Sequence, residues 1–237
     1  MSETKANSSN LTVLALDTCT ESCSVALGHQ GNIYALQADA PREHSQRLLP
    51  MVDQVLKQAE IGLDKVELIA YGRGPGSFTG IRICTSMTQG LALGQDLPVV
   101  GISTLQAMAQ QAIERQGVTQ VVAAIDARMG EVYWGEFINR DGLATLVGSE
   151  RVCKPQEVSR ELDYQQAVAA CGTGFDAYPE LISETMSLVD EAKFPQASYM
   201  LALARYSYAA GLSTDVEGLE PVYLRDTVTW KKLPGRE

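Results

Sequence analysis

The sequence predicts an α/β protein of two related lobes, each with a mixed sheet flanked by helices. Short apolar runs that end in glycine or aspartate turns alternate with longer stretches of helical periodicity. The order strand, terminal aspartate, turn, strand, turn, strand occurs twice, around Asp17 and again around Asp126. We therefore place a boundary near residue 104, with a first lobe over residues 11–104 and a second over residues 105–237.

The first lobe is predicted to open with an antiparallel meander, because its alternating apolar runs are separated by turn residues. A helix follows, in which Leu48, Val52 and Val55 form an apolar stripe and Pro50 predicts a kink or a two-part helix. A second helix begins after a glycine-rich loop and is expected to stop at Gly94. The predicted ranges are strands at 11–16, 22–27, 33–37, 66–71 and 97–102, and helices at 44–59 and 79–93.

The second lobe repeats this plan with strands predicted at 121–125, 132–137 and 167–171. Helices are predicted at 155–162 and 198–211, and the last is expected to pack back on the first lobe. The first ten residues are polar and are predicted to be a disordered N-terminus.

Charge and composition exclude several classes of protein. The chain has 29 acidic and 19 basic residues and a formal net charge of -10, which argues against a broad nucleic-acid-binding surface. The basic residues Arg225, Lys231, Lys232 and Arg236 cluster at the C-terminal end, where a solvated tail is favoured over an RNA contact. No apolar run is long enough to span a membrane, and the N-terminus lacks the pattern of a secretory signal. The five cysteines show no metal-binding or disulfide spacing, so we expect reduced thiols and a cytoplasmic protein.

The glycine-rich loop has two possible roles. Gly74, Gly76 and Gly80 leave backbone N–H groups open beside a helix N-terminus, an arrangement that suits phosphate, and Arg73 and Arg82 flank it. The spacing matches neither the Walker loop nor the dinucleotide-binding fingerprint, so a tight turn for packing is equally compatible.

Two aspartates and two histidines are the other candidates for chemistry. Asp17 and Asp126 each end a strand, where they would either face a cleft and hold Mg²⁺ or initiate a turn. His29 and His44 lie too far apart in sequence to form a helical metal pair, and no nucleophile elbow accompanies them. We therefore expect no histidine metal site and no catalytic residue of the chain's own, and no metal unless the two aspartates hold Mg²⁺.

Several segments together resemble the TsaB (YeaZ) family. They are Leu14-Ala-Leu-Asp-Thr18, Arg42-Glu-His-Ser45, Gly72-Arg-Gly-Pro-Gly-Ser-Phe-Thr-Gly80, Ile125-Asp-Ala-Arg-Met-Gly-Glu-Val-Tyr133, Gln89-Gly-Leu-Ala-Leu-Gly94, Glu220-Pro-Val-Tyr-Leu-Arg225 and Trp230-Lys-Lys-Leu-Pro-Gly235. The resemblance implies tandem actin-like, ribonuclease-H-like lobes. It also implies a partner of the related enzyme TsaD, acting with the ATPase TsaE to form threonylcarbamoyladenosine at position 37 of tRNAs that read ANN codons.

The same resemblance implies a subunit without catalytic activity. Thr104 and Met108 stand where TsaD has two metal-binding histidines, and neither side chain replaces imidazole well. ATP or ADP is then expected only at the interface of the complex, and tRNA is expected to bind mainly through TsaD.

The helices at 44–59 and 79–93 are expected to form the interface with TsaD, or with a second copy when the chain is alone. The predicted contact residues are Leu48, Val52, Val55, Gly80, Cys84, Met87, Thr88 and Leu91. An arginine at Cys84 or Leu91 is expected to block the complex and leave the fold soluble. Two alternatives stay open: an ATP-dependent small-molecule kinase or ATPase with Asp17 at its metal, and a glycopeptidase-like protease.

Overall fold

The computed structural model describes residues 10–158 and 160–225. Nine of the ten residues that were predicted to be disordered, 1–9, therefore lie outside the described residues. The basic residues Lys231, Lys232 and Arg236 lie outside them as well. Within the described residues, no helix is both long and apolar enough to cross a membrane.

The first lobe is a five-stranded mixed sheet with the order β3-β2-β1-β4-β5. Strands β1 to β3 form an antiparallel meander, whereas β4 is parallel to β1 and β5 is parallel to β4. The elements are β1 Val13–Asp17, β2 Ser22–His29, β3 Asn32–Asp39, α1 His44–Gln58, β4 Leu68–Gly74, α2 Phe78–Gln95 and β5 Val99–Ser103.

The second lobe has the corresponding order β10-β9-β6-β7-β8. Its meander is again antiparallel, and β9 and β10 are parallel additions to β6. The elements are α3 Thr104–Gln116, β6 Gln120–Arg128, β7 Glu131–Arg140, β8 Leu143–Cys153, β9 Val168–Cys171, α4 Gly174–Ala177, β10 Met186–Leu188 and α5 Ala197–Ala209. The prediction of two tandem lobes, each with a mixed sheet flanked by helices, is confirmed.

Each lobe is covered partly by a helix that follows the other lobe's sheet. One face of the first sheet packs on α1 and α2, and its opposite face packs on α5 through Met200, Leu201 and Ala204. Helix α3, which follows the first sheet, packs on the second sheet through Leu105 and Met108. Because α3 and α5 also contact each other, the helix layer between the sheets ties the two lobes together.

Three predicted elements were wrong in detail. Residues 155–162 form only a short 3₁₀ turn at Pro155–Glu157, because the backbone beyond it bonds to the Glu136 side chain instead of continuing a helix. Helix α1 runs as one element with Pro50 inside it, which excludes a two-part helix there, and α2 continues past Gly94 to a left-handed cap at Asp96.

Helix α3 was not predicted. Ser103 ends β5 and also caps α3, since its Oγ accepts a hydrogen bond from the Gln106 N–H at 3.3 Å. Most of its residues are buried, from Thr104 through Ile113, so the helix shows little of the polar periodicity that marks a surface helix.

Candidate functional site

The glycine-rich loop connects β4 to α2 and packs against the β1–β2 turn. The Ser77 N–H donates to the Cys19 carbonyl at 2.7 Å, and the Thr18 hydroxyl donates to the Gly80 carbonyl at 2.7 Å. A Cβ at Gly76 would lie 2.0 Å from the Cys19 carbonyl oxygen, and a Cβ at Gly80 would lie 2.0 Å from that of Thr18. The geometry therefore supports the packing role, because the chain's own backbone fills the space beside these glycines.

Two further glycines of the motif make equally close approaches. Gly74 has a φ of +98°, and a Cβ there would lie 2.6 Å from the Val222 carbonyl oxygen. A Cβ at Gly72 would lie 2.0 Å from Oδ2 of Asp17. The motif is thus a platform on which two separate chain segments rest, residues 17–19 and the segment around Val222.

Asp17 lies beneath this platform, with no part of the residue exposed. Its Oδ1 accepts the Cys19 N–H at 2.9 Å, whereas its Oδ2 has no hydrogen-bond partner among the described residues. Burial raises the pKa of Asp17 from 3.8 to about 7, since a desolvated carboxylate is disfavoured. Of the two roles considered for Asp17, the geometry supports the turn and not the cleft, because Oδ1 accepts the Cys19 N–H and Gly72 and Cys19 cover the carboxylate.

A cavity of about 720 Å³ lies between the lobes, above the glycine loop. The first lobe contributes the β1–β2 turn and the start of α2, and the second contributes the β6–β7 turn. The C-terminal segment closes the third side. The residues that line the cavity include Glu21, Gly76, Phe78, Asp126, Arg128, Tyr223 and Arg225.

The charged side chains of the cleft bind one another. A bulge between Asp126 and Arg128 turns both side chains toward the cleft. The Arg128 guanidinium contacts Asp126 at 2.9 Å and reaches across to Glu21 of the first lobe at 3.0 Å. Arg225 pairs with Glu131 in the same way. Asp126 therefore faces the cleft, which was one of its two predicted roles. Its carboxylate is already paired with the Arg128 guanidinium.

The predicted anion-binding residues do not converge. Of Asp17, Arg73, Gly74, Gly76 and Arg82, only Gly76 lines the cleft. Arg73 lies half-buried on β4, where its carbonyl accepts the Val222 N–H at 2.7 Å. Arg82 is exposed on α2, with its guanidinium carbon 3.7 Å from the centre of the Phe78 ring. A phosphate site built from this set is not supported by their positions.

Thr104 and Met108 lie one turn apart at the start of α3, and both are fully buried. The Thr104 hydroxyl oxygen has no hydrogen-bond partner in the described part of the chain, and Met108 belongs to the second-lobe core. Across residues 10–158 and 160–225, no group of three or more His, Cys, Asp and Glu side chains is arranged to hold a metal ion.

The predicted partner interface needs correction. Leu48, Val52, Val55, Cys84 and Thr88 are buried in the chain's own core, and Gly80 is covered by Thr18. These six residues form the inner faces of α1 and α2, which pack on the first sheet, so the apolar stripes indicated a core and not a docking surface. An arginine at Cys84 would therefore disrupt the fold, contrary to our expectation. Only Met87 and Leu91 are partly exposed.

The exposed face of α2 carries a different apolar stripe, of which the predicted interface included only Met87 and Leu91. Phe78 is 56% exposed and Leu93 is 72% exposed, and Ile83, Met87 and Leu91 lie half-buried between them. A shallow groove runs along the first half of this face, and its lining includes Phe78, Ile83 and Met87. The spacing of Ile83, Met87 and Leu91 at every fourth residue could have revealed it, one position before the core stripe of Cys84, Thr88 and Ala92.

Comparisons with known proteins cover both lobes. A family model described as TsaD, tRNA N6-adenosine threonylcarbamoyltransferase, matches residues 35–233. The Escherichia coli protein named tRNA threonylcarbamoyladenosine biosynthesis protein TsaB is 48% identical over 229 residues, which is 95% of this chain and 99% of that protein. The Haemophilus influenzae protein of the same name is 46% identical over 96% of this chain and 99% of its own length.

Two solved structures from Pseudomonas aeruginosa are also similar. One, described as YeaZ, has a TM-score of 0.85 and 44% identity, covering 90% of this chain and 100% of that one. The other, described as an uncharacterized protein with similarity to peptidase YeaZ, has a TM-score of 0.86 and 44% identity, covering 91% and 100%.

Proposed function

We propose a function from one premise: the chain belongs to the TsaB (YeaZ) family of tRNA threonylcarbamoyladenosine biosynthesis proteins. Its role therefore lies in tRNA modification. The finer proposal is that it acts without catalytic residues of its own, as the partner that holds TsaD in a competent state, in a complex that also contains TsaE.

The observation that carries this proposal is the apolar outer face of α2. Two large side chains, Phe78 and Leu93, are more than half exposed there, and three more are half-buried. Gly90 and Gly94 lie on the same helix, and a Cβ at either position would meet nothing within 4 Å. Small residues beside large apolar ones allow another helix to approach closely. We infer that α2 pairs with a helix of TsaD, the enzyme after which the family model matching this chain is named. When TsaD is absent, α2 would pair with α2 of a second copy.

The geometry of the cleft supports a non-catalytic role. Asp17 is covered, Thr104 and Met108 are packed in the interior, and Asp126 is bound to Arg128. A nucleotide would have to displace these ion pairs, so we place ATP or ADP only at the interface of the complex. A net charge of -10 likewise leaves most tRNA binding to TsaD. We place this assembly in the cytoplasm, since all five cysteines are free thiols.

Leu91→Arg tests whether the apolar outer face of α2 binds TsaD. We call this face, formed by Phe78, Ile83, Met87, Leu91 and Leu93, the docking face. Leu91 is half-buried, and its inner side packs against the first-lobe core, so circular dichroism must first show that the Leu91→Arg protein is folded. In the folded variant the substitution places an unpaired charge in the interface. A buried unpaired charge costs about 3–5 kcal/mol, which corresponds to a loss of affinity for TsaD of roughly 100-fold or more. Tyr206→Arg is the matched control, because Tyr206 is 61% exposed on α5, away from α2.

The measurement is co-elution with purified TsaD in size-exclusion chromatography, followed by titration calorimetry. Loss of the complex with Leu91→Arg and retention with Tyr206→Arg supports the proposal, whereas unchanged binding by both refutes the α2 interface. The kinase alternative predicts that the isolated chain hydrolyses ATP and that Asp17→Ala abolishes this activity. The protease alternative predicts peptide cleavage by the isolated chain.

A further inference from the structure

We propose that residues 219–225, the C-terminal clasp, hold the two lobes at a fixed closure and thereby set the position of the start of α2. The inference concerns a conformational coupling between the cleft and the docking face. The predicted effect on partner binding rests on the proposed function, whereas the coupling between the cleft and the start of α2 within the chain does not.

The clasp is anchored to the first lobe at its beginning. Leu219 is 6% exposed and belongs to the first-lobe core. The Tyr71 hydroxyl donates to the Glu220 carbonyl at 3.3 Å and accepts the Glu220 N–H at 3.1 Å. Two residues later, the Val222 N–H donates to the Arg73 carbonyl at 2.7 Å. These bonds place the clasp along the end of β4, directly over Gly74.

The end of the clasp is anchored to the second lobe. The Arg225 guanidinium pairs with the Glu131 carboxylate and donates to the Arg128 carbonyl at 3.3 Å. Both partners flank the β6–β7 turn, and Leu224 packs against the second-lobe core. The side chains of Arg225 and Glu131 are only 17% and 33% exposed, so solvent screens their attraction less than that of a surface pair. The clasp therefore crosses the cleft and binds both lobes.

The middle of the clasp contacts the docking face. The Tyr223 ring lies 5.5 Å from the Phe78 ring, centre to centre. Phe78 is the first residue of α2, and its ring separates the cleft from the groove on the outer face of that helix. Tyr223 therefore supports Phe78 from the cleft side, while Arg82 lies on the same ring. A change in lobe closure that moves the clasp would move Phe78 and the beginning of the docking face with it.

Arg225→Ala tests the coupling from the second lobe, at a distance from α2. In the isolated chain, we expect hydrogen exchange of the backbone amides at residues 76–82 to become about fivefold faster, because the clasp loses one anchor. Glu131→Gln removes the same ion pair from the other side and should give the same change. Arg140→Ala, at the exposed last residue of β7, is the control and should leave residues 76–82 unchanged.

Binding to TsaD then tests the consequence. Arg225→Ala and Glu131→Gln should each weaken binding by about threefold to tenfold, with the double variant no weaker than the single ones, since both remove one ion pair. Unchanged exchange at residues 76–82 in both variants overturns the clasp, even if TsaD binding falls, because Arg225 would then be a direct contact. If the wild-type chain does not bind TsaD, the proposed function fails, and the exchange measurement alone decides the clasp.

Discussion

Replacing Asp17 with asparagine should change how the stability of the protein depends on pH. Burial raises the pKa of Asp17 from 3.8 to about 7 in the folded state, whereas the unfolded chain keeps the ordinary value. Between these two values the folded protein binds a proton that the unfolded chain has released. The wild-type protein therefore loses stability as the pH rises from about 4 to about 7, and the loss is complete above pH 7.

The size of the effect follows from the pKa difference. The difference between a pKa of 3.8 and a pKa of about 7, at about 1.36 kcal/mol per pKa unit, corresponds to about 4 kcal/mol. Asparagine has nearly the same shape as aspartate and carries no charge at any pH. The stability of the Asp17→Asn protein therefore does not fall between about pH 4 and pH 7 on account of this residue. The two proteins should be similarly stable at pH 4, and the variant should be more stable by about 4 kcal/mol at pH 8.

Urea unfolding of both proteins at half-unit intervals from pH 4 to pH 8 measures this difference. Subtracting the two curves removes the contributions of all the other titrating groups, which the proteins share. A difference in unfolding free energy that stays constant with pH would show that Asp17 is not held neutral by burial, and would refute the reasoning.

Two further substitutions test the packing of the glycine platform and of a buried carboxylate. Gly80→Ala should destabilise the protein by about 3 kcal/mol in urea unfolding, since its Cβ meets the Thr18 carbonyl, whereas Gly90→Ala on the same helix should stabilise it by about 0.5–1 kcal/mol. Equal effects at the two positions would contradict the platform. Glu136→Gln should cost about 2–4 kcal/mol, because the Glu136 carboxylate accepts four hydrogen bonds, among them one from the Trp134 indole at 3.1 Å. A change in the indole fluorescence should accompany that loss, and a neutral substitution would show that the network contributes nothing.

The duplicated architecture could be predicted because it depends on local patterns. Apolar runs and turn residues repeat in the same order around Asp17 and Asp126, and these patterns determined the two meanders. The glycine motif was also found as a loop before a helix. Its role could not be decided from sequence, because the atoms that fill it belong to Thr18, Cys19 and Val222, far away along the chain.

The proposed docking face could not be told apart from the core face of α2, because periodicity reveals both apolar stripes but does not show which one faces inward. Helix α2 has two adjacent stripes, one through Cys84 and Thr88 and one through Met87 and Leu91. Only the first sheet, which covers Cys84 and Thr88, distinguishes them. The neutral state favoured for Asp17 also depends on tertiary burial, so no sequence motif indicates it.

Formation of threonylcarbamoyladenosine in tRNA by TsaD, TsaE and this chain tests the central claim most directly. We predict that Leu91→Arg reduces product formation by up to about 100-fold when this chain is kept below its wild-type Kd for TsaD, because docking on α2 fails, whereas Asp17→Asn supports product formation like the wild type. Full activity with Leu91→Arg together with loss of activity with Asp17→Asn would contradict the account, because the function would then lie in the cleft and not on α2.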